Sequence, residues 1–287
     1  MLRAAKPATR QKRLKLFMYG PAGVGKTTAA VQFPDAYIID CERGTENYDQ
    51  TINANGGVVF QTTDMNELIA EVRALLTEPH DFKTLVIDPI TPLYNDLLEK
   101  CEKKVGSDFG RHYSEANKHM KRLANLVMAL DMNVVITAHA KKEYGENLKV
   151  LGQTFDGWRR LDYWFDLVIE LQKGRGKGAR RMARVVKTRI EAFPDEDVFE
   201  WSYDAIRKRY GTAVMERQAE PVRLAEPRNV NELRELLELV RLPEGLVEKW
   251  LSRANVDRFE DMPADVLEKC LDYVRHRLPV QRALNAA

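Results

Sequence analysis

Gly20, Pro21, Ala22, Gly23, Val24, Gly25, Lys26 and Thr27 spell the pattern G-x-x-x-x-G-K-[ST], and Thr28 follows. Each residue type there has a use against a polyphosphate. Glycines let the chain bend tightly, so that successive backbone N–H groups point inward at an anion. The start of a following helix adds positive partial charge. Lys26 is placed to reach the β- and γ-phosphates of a nucleoside triphosphate, and the Thr27 hydroxyl to bind its metal ion. A chance glycine-rich turn would not need a strand before it and a helix after it, and both are present here. The expected ligands are ATP and Mg²⁺.

Other residues are placed to complete that chemistry. Asp88 closes the apolar run Thr84–Asp88, where a carboxylate can hold the Mg²⁺ shell opposite Thr27. The alternative is a turn or helix-capping residue ahead of Pro89. Many ATPases with this loop carry a catalytic glutamate directly after that aspartate, and here the position is Pro89. The group that orients the attacking water must then come from elsewhere. Glu42 follows the second strand and is the first candidate; Asp40 is a substitute, and an exposed loop acid is the plain alternative for Glu42. His139 ends the run Asn133–Ala138. If that strand lies between the P-loop strand and the Asp88 strand, His139 faces the γ-phosphate and can sense it; otherwise it is a structural histidine.

Strands must bring these residues to one edge. Leu14–Tyr19, Ala36–Asp40, Thr84–Asp88, Asn133–Ala138 and Asp166–Leu171 are short apolar runs, with Val58–Phe60 a further short strand. Between them Gly25–Phe33, Asn66–Leu76, Leu93–Lys104 and Ser114–Leu130 read as helices. Strands alternating with helices predict an α/β fold with a mostly parallel sheet flanked by helices. Ala183–Arg189 and Val198–Trp201 read as an antiparallel pair turning at Pro194–Asp195. The expected organisation is a basic tail (1–13), an ATPase core (14–211), a linker (212–227) and a small C-terminal helical domain (228–287). In that domain Val230–Val240, Glu244–Ala254 and Ala264–Leu278 form the helices.

Composition narrows the setting. Hydrophobic residues make up 44% and charged residues 31% of the 287, as in a soluble globular protein. No apolar run is long enough for a membrane span, and no signal peptide is expected. Cys41, Cys101 and Cys270 match no metal or disulfide spacing, so burial in a reducing cytoplasm is expected. Net charge is only +2, but it is unevenly spread. Six basic and no acidic residues lie in Met1–Lys15, and eight basic and no acidic ones in Lys173–Arg189. Such clusters can contact phosphates or stand as solvated loops.

Together these segments resemble the RecA-like branch of P-loop ATPases. Asp40-Cys-Glu-Arg-Gly-Thr45 looks like the D-x-E-G-T segment of recombinases with one residue inserted, and the resemblance puts the catalytic glutamate on Glu42. Val185-Val-Lys-Thr-Arg189 resembles the K-N-R segment of hexameric replicative helicases, with threonine in place of asparagine. There the lysine and arginine reach a neighbouring subunit's γ-phosphate, so Lys187 and Arg189 inherit that role. Over Leu14–Tyr210 the chain resembles phage-encoded RecA-like nucleotide-binding proteins, some of which act in single-strand annealing and recombination. The resemblance implies a RecA-like P-loop NTPase core, a homo-oligomer (ring or filament) with ATP between subunits, and a host cytoplasm. Only a short basic tail precedes Leu14, so no separate polymerisation domain is expected there.

Single-stranded DNA is the expected partner. The segment Ala140–Arg160 is expected as a loop carrying Lys141, Lys142, Tyr144, Trp158, Arg159 and Arg160. Charge for phosphates is there interleaved with rings for unpaired bases. Phe155 and Trp158 could equally pack a helix onto the sheet. Arg175 and Lys177 sit in a glycine-rich basic turn suited to backbone phosphate. The C-terminal helices resemble tails that dock on a single-strand-binding protein. Rival readings are a ring helicase or helicase loader, a small-molecule kinase with Arg175–Arg184 as its lid, and a nucleotide-gated scaffold without turnover.

Overall fold

The computed structural model describes residues 11–144, 150–174 and 180–286. Thr84–Asp88 is buried at all five positions, and Lys15–Gly20 at all six. Strands with no face for water belong in the middle of a sheet covered on both sides. Among the described residues nine strands form that sheet. They are β1 (Lys15–Gly20), β2 (Ala36–Asp40), β3 (Val58–Gln61), β4 (Thr84–Asp88), β5 (Asn133–Tyr144), β6 (Val150–Asp156), β7 (Leu167–Lys173), β8 (Arg181–Thr188) and β9 (Val198–Glu200). Their order is β3-β2-β4-β5-β1-β7-β8-β9, with β6 paired to β5 outside that row. β3, β2, β4, β5, β1 and β7 run parallel, and β6, β8 and β9 antiparallel to their neighbours. The sheet is thus mostly parallel, as expected, and is made mixed by β6, β8 and β9. The reason is the short connections, since a tight turn can join only antiparallel strands.

Alternation along each strand divides the core in two. Phe17, Ile87 and Ile136 face α3 (Met65–Thr77), α4 (Ile90–Val105) and α5 (Arg111–Ala129). Leu16, Met18, Val86 and Val135 face the opposite side, with α1 (Lys26–Ala30), α2 (Asp49–Ala54) and α7 (Tyr203–Tyr210). Full burial of each such aliphatic chain contributes about 1.5–3 kcal/mol. Asp64 caps α3 by accepting from the amides of Asn66 and Glu67, which fixes where that helix starts.

Two boundaries differ from expectation. Ala140–Arg160 is not a loop: β5 continues to Tyr144 and β6 returns beside it, His139 opposite Asp156 and Lys141 opposite Thr154. β5 pairs with β1 as far as His139, so the hairpin leaves the sheet at that residue. Residues 212–227 are not a free linker either. They contain α8 (Thr212–Met215), Val222 N donates to Leu76 O at 2.7 Å, and Leu224 bridges to Pro263. Arg13 is buried and donates to Val214 O (2.7 Å) and Gln218 O (2.8 Å), which pins the end of the basic tail to this segment.

A short helix, α6 (Leu161–Trp164), follows the hairpin. The C-terminal helices α9 (Pro227–Leu239), α10 (Leu246–Ala254) and α11 (Ala264–Ala286) gather around Val230, Leu233, Leu267, Leu271 and Val274. Asp261 fastens this layer to the core. Buried itself, it accepts from Arg122 of α5 (Nε, 2.7 Å) and from Arg73 of α3. All three cysteines are buried. Among the described residues no helix is long and apolar enough to cross a membrane.

Candidate functional site

The parallel strands end together, and their last residues make the site. β1 runs into the P-loop, β2 ends at Asp40, β4 at Asp88, and β5 passes the same edge at His139. β5 does lie between β1 and β4, the condition under which His139 reaches the phosphate position. A cleft of about 430 Å³ opens there, lined by Ala22, Gly23, Gly25, Lys26, Thr27, Glu42, Tyr48, Asp88, Pro89, His139 and Ala140. That volume is in the range of small-ligand sites.

Gly25 has φ 93°, a conformation that favours glycine, and it turns the loop into α1. Lys26 Nζ donates to Gly20 O (3.0 Å) and Pro21 O (3.2 Å), which folds its side chain over the loop. Burial pushes its pKa down, against the pull of Asp88 and Glu42. Thr28 lies on the outer side, its hydroxyl 2.7 Å from Tyr48 Oη.

Asp88 is buried, and burial pushes its carboxyl up despite the hydrogen bond from the Thr137 hydroxyl. Oδ1 accepts from Thr137, while Oδ2 is buried without a partner among the described residues. An unpaired buried carboxylate oxygen is costly unless a cation or donor meets it. With the Thr27 hydroxyl beside it, the donor set fits a hard divalent cation such as Mg²⁺.

Asp40 positions the turn that carries Glu42. Its oxygens accept from the amides of Glu42 (3.0 Å), Gly44 (3.1 Å) and Thr45 (3.0 Å) and from Thr45 Oγ1 (2.6 Å). Burial raises its pKa, but these four bonds outweigh burial and hold the carboxyl below its ordinary value. They wrap the Cys41–Thr45 turn so that Glu42 projects into the cleft. There Glu42 meets His139, with Nε2 3.0 Å from one carboxylate oxygen and 3.1 Å from the other. Thr91 joins this corner to the hairpin: its hydroxyl donates to Asp156 O (2.6 Å) and accepts from His139 N (3.0 Å).

Lys187 and Arg189 are elsewhere. β8 runs antiparallel to β7, so Lys187 pairs with Val168 at the sheet end away from the P-loop. Lys187 Nζ donates to Phe165 O (3.1 Å) and Asp162 O; Arg189, half exposed, pairs with Asp166 at 3.2 Å.

The proposed DNA contacts also separate. Trp158 is buried and donates to Asn117 Oδ1 at 2.7 Å, so its ring packs α5 and leaves no face for a base. Lys141 is paired with Asp156 at 3.1 Å. Lys142, Arg159 and Arg160 are exposed. Arg175 and Lys177 lie outside the described residues, as does the side chain of Tyr144. Rings of the expected kind are found where α4 gives way to α5: Phe109, fully exposed, on the connection and Tyr113, half exposed, in the first turn of α5. A cleft of about 520 Å³ runs from Tyr113 and Asn117 to Arg159 and Arg160.

Residues 12–190 match the family AAA_24, described as an AAA domain.

The chain belongs to that family. Its P-loop domain is an ATP-binding domain with the constitution of an ATP hydrolase. No curated protein matches the chain in sequence. Solved structures similar to this AAA-family chain include a DnaB-like replicative helicase described with its primase interactions, at 11% identity and TM-score 0.39 over 66% of this chain and 55% of that one. A prototypical ATPase from the type III secretion system of pathogenic bacteria shows 12% identity and TM-score 0.39 over 92% and 80%. The ATPase EscN of the enteropathogenic E. coli type III secretion system shows 11% and 0.38 over 93% and 67%. The chain thus spans little more than half the length of the helicase.

Sequence reasoning missed Tyr48, Thr137 and Arg181. Thr137 was accessible, since it stands two residues before His139 on the same face of β5. Tyr48 carried no local signal, and Arg181 was read only as part of a basic run.

Proposed function

We propose that the chain is an Mg²⁺-dependent ATPase acting on single-stranded DNA, its grip on the strand set by the nucleotide in the cleft. One observation carries the proposal: Glu42 and His139 meet where the phosphate cleft ends and the β5–β6 hairpin begins. Lys26 and the loop amides hold the phosphates. Mg²⁺ bound by Thr27 and Asp88 supplies neutralising charge on the β,γ-phosphates. Glu42 orients the attacking water. His139 competes with that water for the Glu42 carboxylate, so hydrolysis changes the partner of the residue at the hairpin root. Thr91 holds the same root from α4 and ties the His139 amide of one hairpin arm to the Asp156 carbonyl of the other. The exposed rings of Phe109 and Tyr113 and the exposed cations Arg159 and Arg160 suit a single strand, whose bases stack and whose phosphates need charge.

Lys187 and Arg189 serve a γ-phosphate only on a neighbouring copy, because both lie at the far end of their own sheet. This reading therefore includes a homo-oligomer, ring or filament, and Arg189 is the freer of the two side chains. Membership of an AAA-domain family favours a helicase or helicase-loader ring over strand annealing in phage recombination. The annealing reading rests on the resemblance of Leu14–Tyr210 to phage-encoded RecA-like proteins. Docking of a single-strand-binding protein on the C-terminal helices belongs to that second reading. A kinase lid is disfavoured: Arg180 pairs with Glu200, and Arg184 with Glu170 and Glu196.

The test is ATP hydrolysis with Mg²⁺, alone, with single-stranded DNA and with duplex. The expected result is stimulation by the single strand, weakening steeply as salt rises. Equal rates in all three at low salt would remove the DNA part of the proposal. Strand separation on a forked duplex would favour the ring motor, and ATP-dependent pairing of complementary strands the annealing role.

A further inference from the structure

The P-loop is approached from two flanks. β2, β4 and β5, on one side of β1, bring Glu42, Asp88 and His139. From the other side, across β7, comes a cation that the hydrolysis chemistry does not use. Arg181, the first residue of β8, donates from Nε to Val24 O at 3.1 Å. Its guanidinium lies flat against Gly25, so close that a Cβ at that position would stand 2.3 Å from a terminal nitrogen. The positive φ calls for glycine at position 25, and a side chain there would also displace the guanidinium from this seat. The neighbouring arginines, 180 and 184, are neutralised by Glu200 and by Glu170 and Glu196. Arg181 has no carboxylate partner among the described residues. Burial lowers its pKa, and Tyr48, across the mouth of the cleft, opposes that.

A partly desolvated guanidinium without a carboxylate, resting on a loop built for phosphates, has its charge available to an anion. We propose that Arg181 is a positioning and anion-binding residue acting in cis. It fixes the Val24–Gly25 peptide so that the loop amides stay turned inward, and it adds positive charge to the polyphosphate on the nucleoside side. The inference rests on the nucleotide reading of the cleft. Because Arg181 comes from the flank opposite Glu42 and His139, it holds ground state and transition state alike. Such uniform binding is read in KM and leaves kcat in place. The same contact serves ADP as well as ATP.

The experiment compares the unaltered chain with Arg181→Met, which keeps the aliphatic bulk, and Arg181→Lys, which keeps the charge. ADP binding is measured by calorimetry with Mg²⁺, ATP hydrolysis by steady-state kinetics, and folding by thermal melting. For Arg181→Met the KM for ATP and the Kd for ADP each rise roughly tenfold. Its kcat stays within about twofold, and Arg181→Lys recovers most of the loss. Arg181→Gln, which can still donate to the Val24 carbonyl, replaces the methionine variant if that one does not fold; it should lose the charge effect in the same way. Unchanged KM and Kd would overturn the proposal. So would a fall in kcat as large as that in kcat/KM, or a lysine variant no better than methionine. If the unaltered chain bound neither nucleotide, the reading of the cleft would fall first and take this one with it.

Discussion

Lysines hold backbone carbonyls at both ends of β1, and the two are built differently. At the start of the strand, Lys15 is buried and donates to Val127 O (3.0 Å), Leu130 O (3.0 Å) and Met132 O (3.1 Å), closing the end of α5. All three donors of its ammonium are used. Just past the other end, Lys26 donates to two loop carbonyls and stays open to a cleft that contains Asp88 and Glu42. Around Lys15 the capacity for hydrogen bonding is filled. Around Lys26 it is left over, in the unpartnered Asp88 Oδ2 above all. Filled capacity marks a structural cap, and surplus capacity at a strand end marks a place for a ligand.

That contrast is broken most directly by removing each lysine. Lys26→Ala should lower kcat/KM for ATP by about 10²–10³-fold and leave thermal stability nearly unchanged, whereas Lys15→Met should keep the activity. Equal activity losses would show that the ends are not separate in function. Glu42→Gln sharpens the same point within the cleft. It should reduce kcat by about 10²–10⁴-fold while ADP still binds, as calorimetry can establish. Loss of ADP binding in that variant would assign Glu42 to nucleotide holding instead.

A smaller effect is expected at the rings proposed to stack on single-stranded DNA. Phe109→Ala and Tyr113→Ala should each weaken single-strand binding by roughly tenfold, from stacking worth about 1–3 kcal/mol per base. Trp158→Phe should leave affinity alone and lower the melting temperature, since its indole N–H is bonded to Asn117. Fluorescence anisotropy with a labelled oligonucleotide reads the first pair. If Trp158→Phe lost affinity while the other two kept it, the base-stacking surface would lie on the hairpin side.

The cleft residues were legible because each sits at a strand end and carries chemistry in its own type. Lys26, Thr27, Asp88, Glu42 and His139 needed only the parallel order of β1, β2, β4 and β5 to converge, and apolar runs such as Thr84–Asp88 predicted those strands. The hairpin was not legible. Residues 140–156 mix lysine, glycine and polar residues without the apolar run that marks a buried strand, because β6 pairs with β5 off the main row of strands and none of their described residues there is buried. The exposed rings were missed for a related reason. Phe109 packs against nothing, so no periodicity announces it. Trp158 misled in the opposite way, since an aromatic between charges reads the same whether its ring faces solvent or, as here, α5. Lys187 shows what a motif leaves open: the residue type suited a phosphate, and only the antiparallel register of β8 tells that it lies away from its own P-loop.

The subtlest test of the closed end is its response to pH. Burial pushes the Lys15 pKa down from 10.5 to about 7. Between those values the folded chain binds fewer protons at this site than the unfolded chain, so unfolding free energy rises with pH. The slope from this group is at most about 1.4 kcal/mol per pH unit. Its stabilisation is complete above the free-lysine value and is lost as pH falls to 7, below which the group adds no slope. Denaturant unfolding of the unaltered chain and of Lys15→Met from pH 7 to 10 isolates it, because tyrosines and cysteines titrate alike in both. The unaltered chain should gain stability over this range relative to the variant. Parallel curves would mean that the carbonyls of Val127, Leu130 and Met132 keep the ammonium protonated despite its burial. The closed end would then keep its charge over this range, and its filled hydrogen bonding would still set it apart from the open end.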